Sequence, residues 1–161
     1  MSNKIIIKKI RVNKVLNINK HVDGGWFWTK YSANPYMGCQ YGCTYCFLRE
    51  DMYGLNIRNN ATENLNDPFS QFIRIKINAS EVLDKELSQV PKDIIVTGDY
   101  QPIESKFRLS RKILEVCYKH SFPTLIIAKS PLVLKDIDII KKINDVLSTL
   151  KCGVSNNRCL S

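Results

Sequence analysis

The sequence predicts an α/β fold built on a parallel sheet, with about four βα units. Three observations predict it. Short apolar runs rich in β-branched residues recur at residues 72–78, 93–97 and 124–128, and each is followed by a segment with helical apolar spacing. Each run ends in polar residues and turn formers. No solenoid-type repeat is present, so the alternation is one of topology. Strand–helix–strand order of this kind gives parallel strands joined by right-handed crossovers.

Taken in order, residues 3–20 are basic and β-branched, and Ile5, Ile6 and Ile7 predict a short strand. Residues 21–29 hold a Gly24-Gly25 turn signal and two tryptophans, Trp26 and Trp28, read as core or lid packing. Residues 31–34 are expected to form a strand that delivers a cysteine-rich loop. That loop runs into a helix at about 44–53, ending before Gly54, and residues 56–67 read as a polar surface loop. Residues 72–78 alternate strictly, with Ile73, Ile75 and Ile77 on one face and Arg74, Lys76 and Asn78 on the other. Ser80 is the expected N-cap of a helix whose stripe is Val82, Leu83, Leu87 and Val90. The strand at 93–97 ends in Gly98-Asp99-Tyr100-Gln101-Pro102, and Leu109, Ile113, Leu114 and Cys117 mark the next helix. The strand at 124–128 ends at Lys129-Ser130-Pro131. Asp136 is the expected cap of a last helix with the stripe Ile139, Ile140, Ile143 and Val146. A fifth strand is expected to begin near residues 152–154. The chain thus divides into an N-terminal basic segment and lid (1–30), a core (31–150) and a tail (151–161).

A chain of 161 residues can bury a real core, and its hydrophobic fraction of 44% is that of a soluble globular protein. No stretch approaches the ~18 apolar residues of a membrane span. The apolar run after Met1 is too short for a secretory signal, so a cytoplasmic location and six reduced cysteines are expected. The net charge of +9, from 24 Lys and Arg against 15 Asp and Glu, makes nucleic acid a candidate partner. It equally fits a chain enriched in Ile, Asn and Lys throughout.

The chemistry centres on residues 34–49, where Cys39, Cys43 and Cys46 stand in the spacing C-x3-C-x2-C. Iron–sulfur clusters normally take one cysteine on each of four irons, so three would leave one iron open to a ligand with its own donor atoms. The structural alternative is a zinc site completed by His21, His120, Cys117, Cys152 or Cys159. Zinc motifs favour paired ligand units, however, and no second pair is present. Functional groups in parallel α/β folds collect where strands end. The strand ends here carry Lys76 and Asn78, then Asp99, Gln101 and Glu104, then Lys129 and Ser130. A carboxylate there can hold hydroxyl or amino groups, and a lysine can meet a carboxylate or phosphate.

The cysteine loop resembles the radical S-adenosylmethionine (SAM) enzymes, whose signature is C-x3-C-x-aromatic-C, with Tyr45 in the aromatic position. The run Asn34-Pro35-Tyr36, with Gly38-Cys39, is similar to the branch that holds spore photoproduct lyase and the DNA repair photolyases. So are Lys76-Ile77-Asn78-Ala79, Tyr100-Gln101-Pro102-Ile103-Glu104, Lys129-Ser130 and Lys135-Asp136-Ile137-Asp138, and the likeness runs from about Asn34 to Asn144. Where that branch usually has histidine two residues after the first cysteine, this chain has Tyr41, and Asp99 abuts Tyr100 directly. The resemblance implies an incomplete parallel (βα) barrel of the radical SAM type. It implies a four-iron (4Fe-4S) cluster on Cys39, Cys43 and Cys46, SAM at the open iron, and reductive cleavage to a 5′-deoxyadenosyl radical. Tyr45 and Phe47 would pack near the adenine. Lys76, Asn78, Asp99, Gln101, Glu104, Lys129 and Ser130 are the candidate cofactor-binding residues. Ferredoxin or flavodoxin would donate the electron, and lyase-like chemistry on nucleic acid is the implied activity. No residue is assigned a catalytic role. Because a full barrel needs ~250 residues, the chain reads as a truncated member. The alternative is a non-catalytic iron–sulfur or zinc-binding module.

Overall fold

The structure is a computed structural model that describes residues 5–18, 29–46, 49 and 67–154, the last eight of these by backbone alone. The expected lid over residues 21–28, most of the expected helix at 44–53, the loop at 56–66 and the end of the tail lie outside the described residues.

The described strands form two mixed sheets. In the first, β1 (Ile6–Ile10) runs parallel to β5 (Phe72–Lys76), and β4 (Tyr36–Met37) lies antiparallel on the other side of β5. In the second, the order is β2 (Leu16–Ile18), β3 (Tyr31–Ala33), β6 (Ile95–Thr97) and β7 (Thr124–Ile126). Here β3, β6 and β7 are parallel, and β2 is antiparallel to β3. The N-terminal segment therefore contributes a strand to each sheet over its described part. The helices are α1 (Pro68–Gln71), α2 (Ala79–Leu87), α3 (Glu104–Phe107), α4 (Leu109–Lys119) and α5 (Ile137–Val154), with a 3₁₀ segment at Pro131–Asp136 before α5.

The strand expected at 31–34 is β3, which ends at Ala33, and a second short strand, β4, follows it after Pro35. Pro35 has no N–H to give a ladder, so the pairing of β3 does not continue through it. The chain turns at this point and crosses from the second sheet to the first. Lys76 closes the break: its backbone N–H donates to the Pro35 carbonyl at 3.0 Å, and its ammonium to the Asn34 carbonyl at 2.7 Å. The cysteine loop is thus delivered by β4.

The main core lies between the second sheet and helices α2, α4 and α5. Tyr31, Ala33 and Ile95 of the sheet meet Leu83, Leu87, Ile113, Leu114, Cys117, Ile139 and Ile143 of the helices. The α4 stripe is buried at each position its spacing names, as a helix with one apolar face requires. In β5 both faces are covered, so Ile73 and Ile75 on one side and Lys76 on the other are all buried. Three local expectations are corrected. Helix α2 begins at Ala79 with Asn78, not Ser80, at its N-cap. Asp136 accepts from Tyr100 Oη at 3.0 Å and from Arg108 and Arg111 at 3.1 and 3.4 Å, so its carboxylate ties α4 to the 3₁₀ segment rather than capping α5. Residues 151–154 are the end of α5 and not a fifth strand, since no proline or glycine interrupts the chain from Leu132 to Cys152. No helix among the described residues is long and apolar enough to cross a membrane.

Candidate metal centre

The cysteine loop leaves β4 through Gly38, which has φ 85°. A Cβ here would stand 2.6 Å from the Phe72 carbonyl oxygen and 3.0 Å from that of Phe69, so only glycine lets the loop pass so close to the start of β5. Cys39 then donates its N–H to the Phe69 carbonyl at 3.0 Å. The loop folds on itself in tight turns: Gly42 N–H to Cys39 O at 3.1 Å, Cys46 N–H to Cys43 O at 3.2 Å, and Arg49 N–H to Cys46 O at 3.0 Å. Cys39, Cys43 and Cys46 are partly buried and unbridged. Cys39 and Cys46 pack against Phe69 and Phe72.

Two side-chain clamps hold this loop. Gln101, only 2% exposed, donates from Nε2 to the Gly38 carbonyl at 3.1 Å and accepts the Gln40 N–H on Oε1 at 2.9 Å. It brackets Cys39 on both sides. Gln40 returns the contact by accepting the Ile103 N–H at 2.7 Å. On the other half of the loop, Arg49 donates from Nε to the Cys43 carbonyl and from Nη2 to the Gly42 carbonyl, both at 2.7 Å. Its guanidinium also grips Asp67 through two bonds of 2.9 Å.

Lys129 approaches from the end of β7. Its ammonium lies 3.3 Å from Cys43 Sγ and donates to Tyr45 Oη at 2.7 Å, 5.0 Å from the centre of the tyrosine ring. Burial is the largest single influence on the Cys43 thiol and pushes its pKa up, but the bonds from Lys129 and Tyr45 and the lysine's charge together outweigh it and hold the pKa below the usual thiol value. Cys39 is shifted the other way, raised chiefly by burial and further by Asp99 and the other two thiols. Behind the loop, burial raises Asp99 to about 7, against the opposing charge of Lys76 and the backbone N–H of Tyr36. Burial likewise lowers the pKa of Lys76, and Asp99 opposes that shift.

Of the candidate residues, Gln101 and Lys129 meet the cysteine loop directly, Lys129 partly through Tyr45 of the loop itself, with Lys76 and Asp99 behind it. Three others are occupied elsewhere. Asn78 pairs with the backbone of Val12, accepting its N–H at 2.9 Å and donating to its carbonyl at 2.8 Å. Glu104 accepts from Tyr36 Oη and from the N–H groups of Leu109 and Ser110 at the start of α4. Ser130 caps the 3₁₀ segment by accepting the Leu132 N–H at 3.2 Å. Phe47 lies outside the described residues. Sequence reasoning missed Gln40 and the Arg49–Asp67 pair. The one written trace of the pair is Asp67 before Pro68, which reads as an ordinary helix start.

Among the described residues, no three His, Cys, Asp or Glu side chains lie close enough to hold a single metal ion. Of the candidate fourth zinc ligands, Cys117 is packed in the main core with its thiol raised to about 12 by burial. His120 is bound to Asp84 at 2.6 Å on the outer helices. His21, Cys159 and the side chain of Cys152 lie outside the described residues.

No family model matches the chain, and no solved structure matches it. It is 35% identical over 158 residues to an uncharacterized protein of Methanocaldococcus jannaschii, a match covering 98% of this chain and 54% of that relative. It is 27% identical over 117 residues to uncharacterized proteins of Mycobacterium tuberculosis and Mycobacterium bovis, covering 69% of this chain and 33% of each relative. The chain spans about half the length of the archaeal relative and about a third of the mycobacterial ones.

Proposed function

We propose that the chain holds a four-iron cluster on Cys39, Cys43 and Cys46 and takes SAM at the open iron, as proteins similar to spore photoproduct lyase do. One observation carries this reading. Three reduced, partly buried thiols of one loop are held in place by backbone-directed bonds from Gln101 and Phe69, which come from two other parts of the chain, and from Arg49 at the loop's own end. The donor set fits the group. A single zinc needs its thiolates about 2.3 Å from one centre, whereas a cluster takes each cysteine on a different iron. Three cysteines on three irons leave the fourth iron open, which is where SAM would bind. When bound, such a cluster supplies the electron for reductive cleavage of SAM.

The chain's own residues support the rest. Lys129 puts a positive charge beside Cys43, where ligated thiolates would add negative charge, and it can also meet a carboxylate as a point charge. Asp99, whose carboxyl burial raises to about 7, can accept from or donate to an amino or hydroxyl group. The electron donor would be a ferredoxin or flavodoxin in the reducing cytoplasm, and the +9 charge suits nucleic acid as substrate.

Single substitutions test the ligand assignment. Anaerobically reconstituted protein is expected to be brown, with broad absorption near 400 nm (roughly the range of sulfide-to-iron charge transfer). Cys39→Ala, Cys43→Ala and Cys46→Ala should each lose most of that absorption, while Cys117→Ala keeps it. Equal colour in all four variants would remove the assignment.

A further inference from the structure

The cysteine loop has two independent anchors, and only one of them reads as a site in the sequence. Gln101 and Phe69 fix Cys39. The half that carries Cys43 and Cys46 depends on Arg49. We propose that Arg49 is the positioning residue for this half, with Asp67 as its fixed support. The inference rests on the cluster reading for its purpose, though not for its geometry.

The geometry uses two edges and one face of the guanidinium. One edge faces Asp67, whose carboxylate takes Nη1 and Nη2 at 2.9 Å each. The other edge gives Nε to Cys43 O and Nη2 to Gly42 O at 2.7 Å. The flat face lies 4.9 Å from the centre of the Phe69 ring. Asp67 is itself held, by Ser70 Oγ at 2.7 Å and through its N–H on Gln71 Oε1 at 2.8 Å. Ser70 and Gln71 belong to α1, which leads straight into β5. The loop carbonyls are thereby referred to the sheet through one rigid fork. The bonds are charge-assisted, the strong kind, and their planar geometry belongs to arginine alone among side chains. A lysine would keep the charge and lose the fork. Fixing two successive carbonyls sets the direction of the chain on either side of Cys43 without engaging its thiol.

Hydrogen–deuterium exchange on the metal-free protein tests this without any cluster. In Arg49→Lys and in Asp67→Asn, amide exchange at residues 42–46 should rise about tenfold, the scale set by losing a charge-assisted bond. Exchange at Cys39 and Gln40, held by Phe69 and Gln101, should not change. Ser70→Ala removes only one support of Asp67 and reaches the loop indirectly, so it should give a roughly two- to threefold rise confined to the same residues. It serves as the mild variant if the others fold poorly. The exchanged pair Arg49→Asp with Asp67→Arg restores an ion pair but not the carbonyl bonds, so it should not rescue. After reconstitution, Arg49→Lys and Asp67→Asn should hold less than half the iron of the wild type. Unchanged exchange at 42–46, or rescue by the exchanged pair, would overturn the proposal. If exchange rises as expected but the wild type itself takes up no iron, the positioning role stands and the cluster reading falls.

Discussion

Gly98→Ala is expected to leave little folded protein. Gly98 follows β6 directly with φ 149°, a backbone conformation that side-chain-bearing residues rarely adopt. A Cβ built there would lie 2.0 Å from the Ile127 carbonyl oxygen, 2.7 Å from the Ile127 carbonyl carbon and 2.9 Å from its nitrogen. All three are backbone atoms, so no side chain can swing away to relieve the overlap. The strands must separate at the point where the Ile127 N–H meets the Thr97 carbonyl at 3.0 Å. Strain of this kind falls among the rare substitutions costing more than ~4 kcal/mol, a large part of the 5–15 kcal/mol that holds a typical domain. Gln101 lies three residues further on, so any surviving protein would also lose its grip on Cys39. Soluble yield and circular dichroism check this. A soluble variant melting within a few degrees of the wild type would show that the β6–β7 approach is not as close as the structure has it.

Glu104→Ala should be the next most damaging change, although Glu104 reads in the sequence as a candidate ligand-binding acid. The side chain is 4% exposed. It receives Tyr36 Oη–H and the N–H groups of Leu109 and Ser110, the latter two at 3.1 and 2.9 Å. Tyr36 lies on the strand that delivers the cysteine loop, and Leu109 opens α4. The carboxylate therefore ties the loop's strand to the main helix layer, and it supplies acceptors for a helix start whose own N-cap residue, Arg108, makes no side-chain cap bond. Alanine would leave three buried donors without this acceptor. At about 1–3 kcal/mol per stranded group, with partial relaxation, the loss should be about 3–5 kcal/mol. In a domain of this size that lowers the melting temperature by roughly 10 °C or more. Glu104→Gln keeps the shape but replaces one acceptor by a donor, so it should cost less, about 1–3 kcal/mol. Thermal melts of the two variants give the comparison. Equal, small losses would contradict this account of the residue.

Periodic features of the fold were legible because they are local. The α4 stripe and the alternation around Ile73 and Ile75 mark their elements without reference to the rest of the chain. The cysteine spacing is equally local, and it names the loop. What was not legible depends on distant partners. A polar residue at a strand end looks the same whether it lines a site or secures the backbone. Asn78 is committed to Val12, 66 residues away. Glu104 is committed to Tyr36, 68 residues away. Gln101, three positions before Glu104, does meet the loop. The break between β3 and β4 hinges on Pro35 and on the crossing between two sheets, which strand propensity does not encode. Arg49 and Asp67 fall outside any periodic pattern, and their link is seen only when the loop is folded back onto α1.

The proposed cluster requires iron and sulfide on the three cysteines of one loop. The most direct test is the metal and acid-labile sulfide content of the anaerobically reconstituted 161-residue chain. The account predicts about four iron and four sulfide per chain, in keeping with one four-iron cluster. One tightly bound zinc per chain with no sulfide would contradict it.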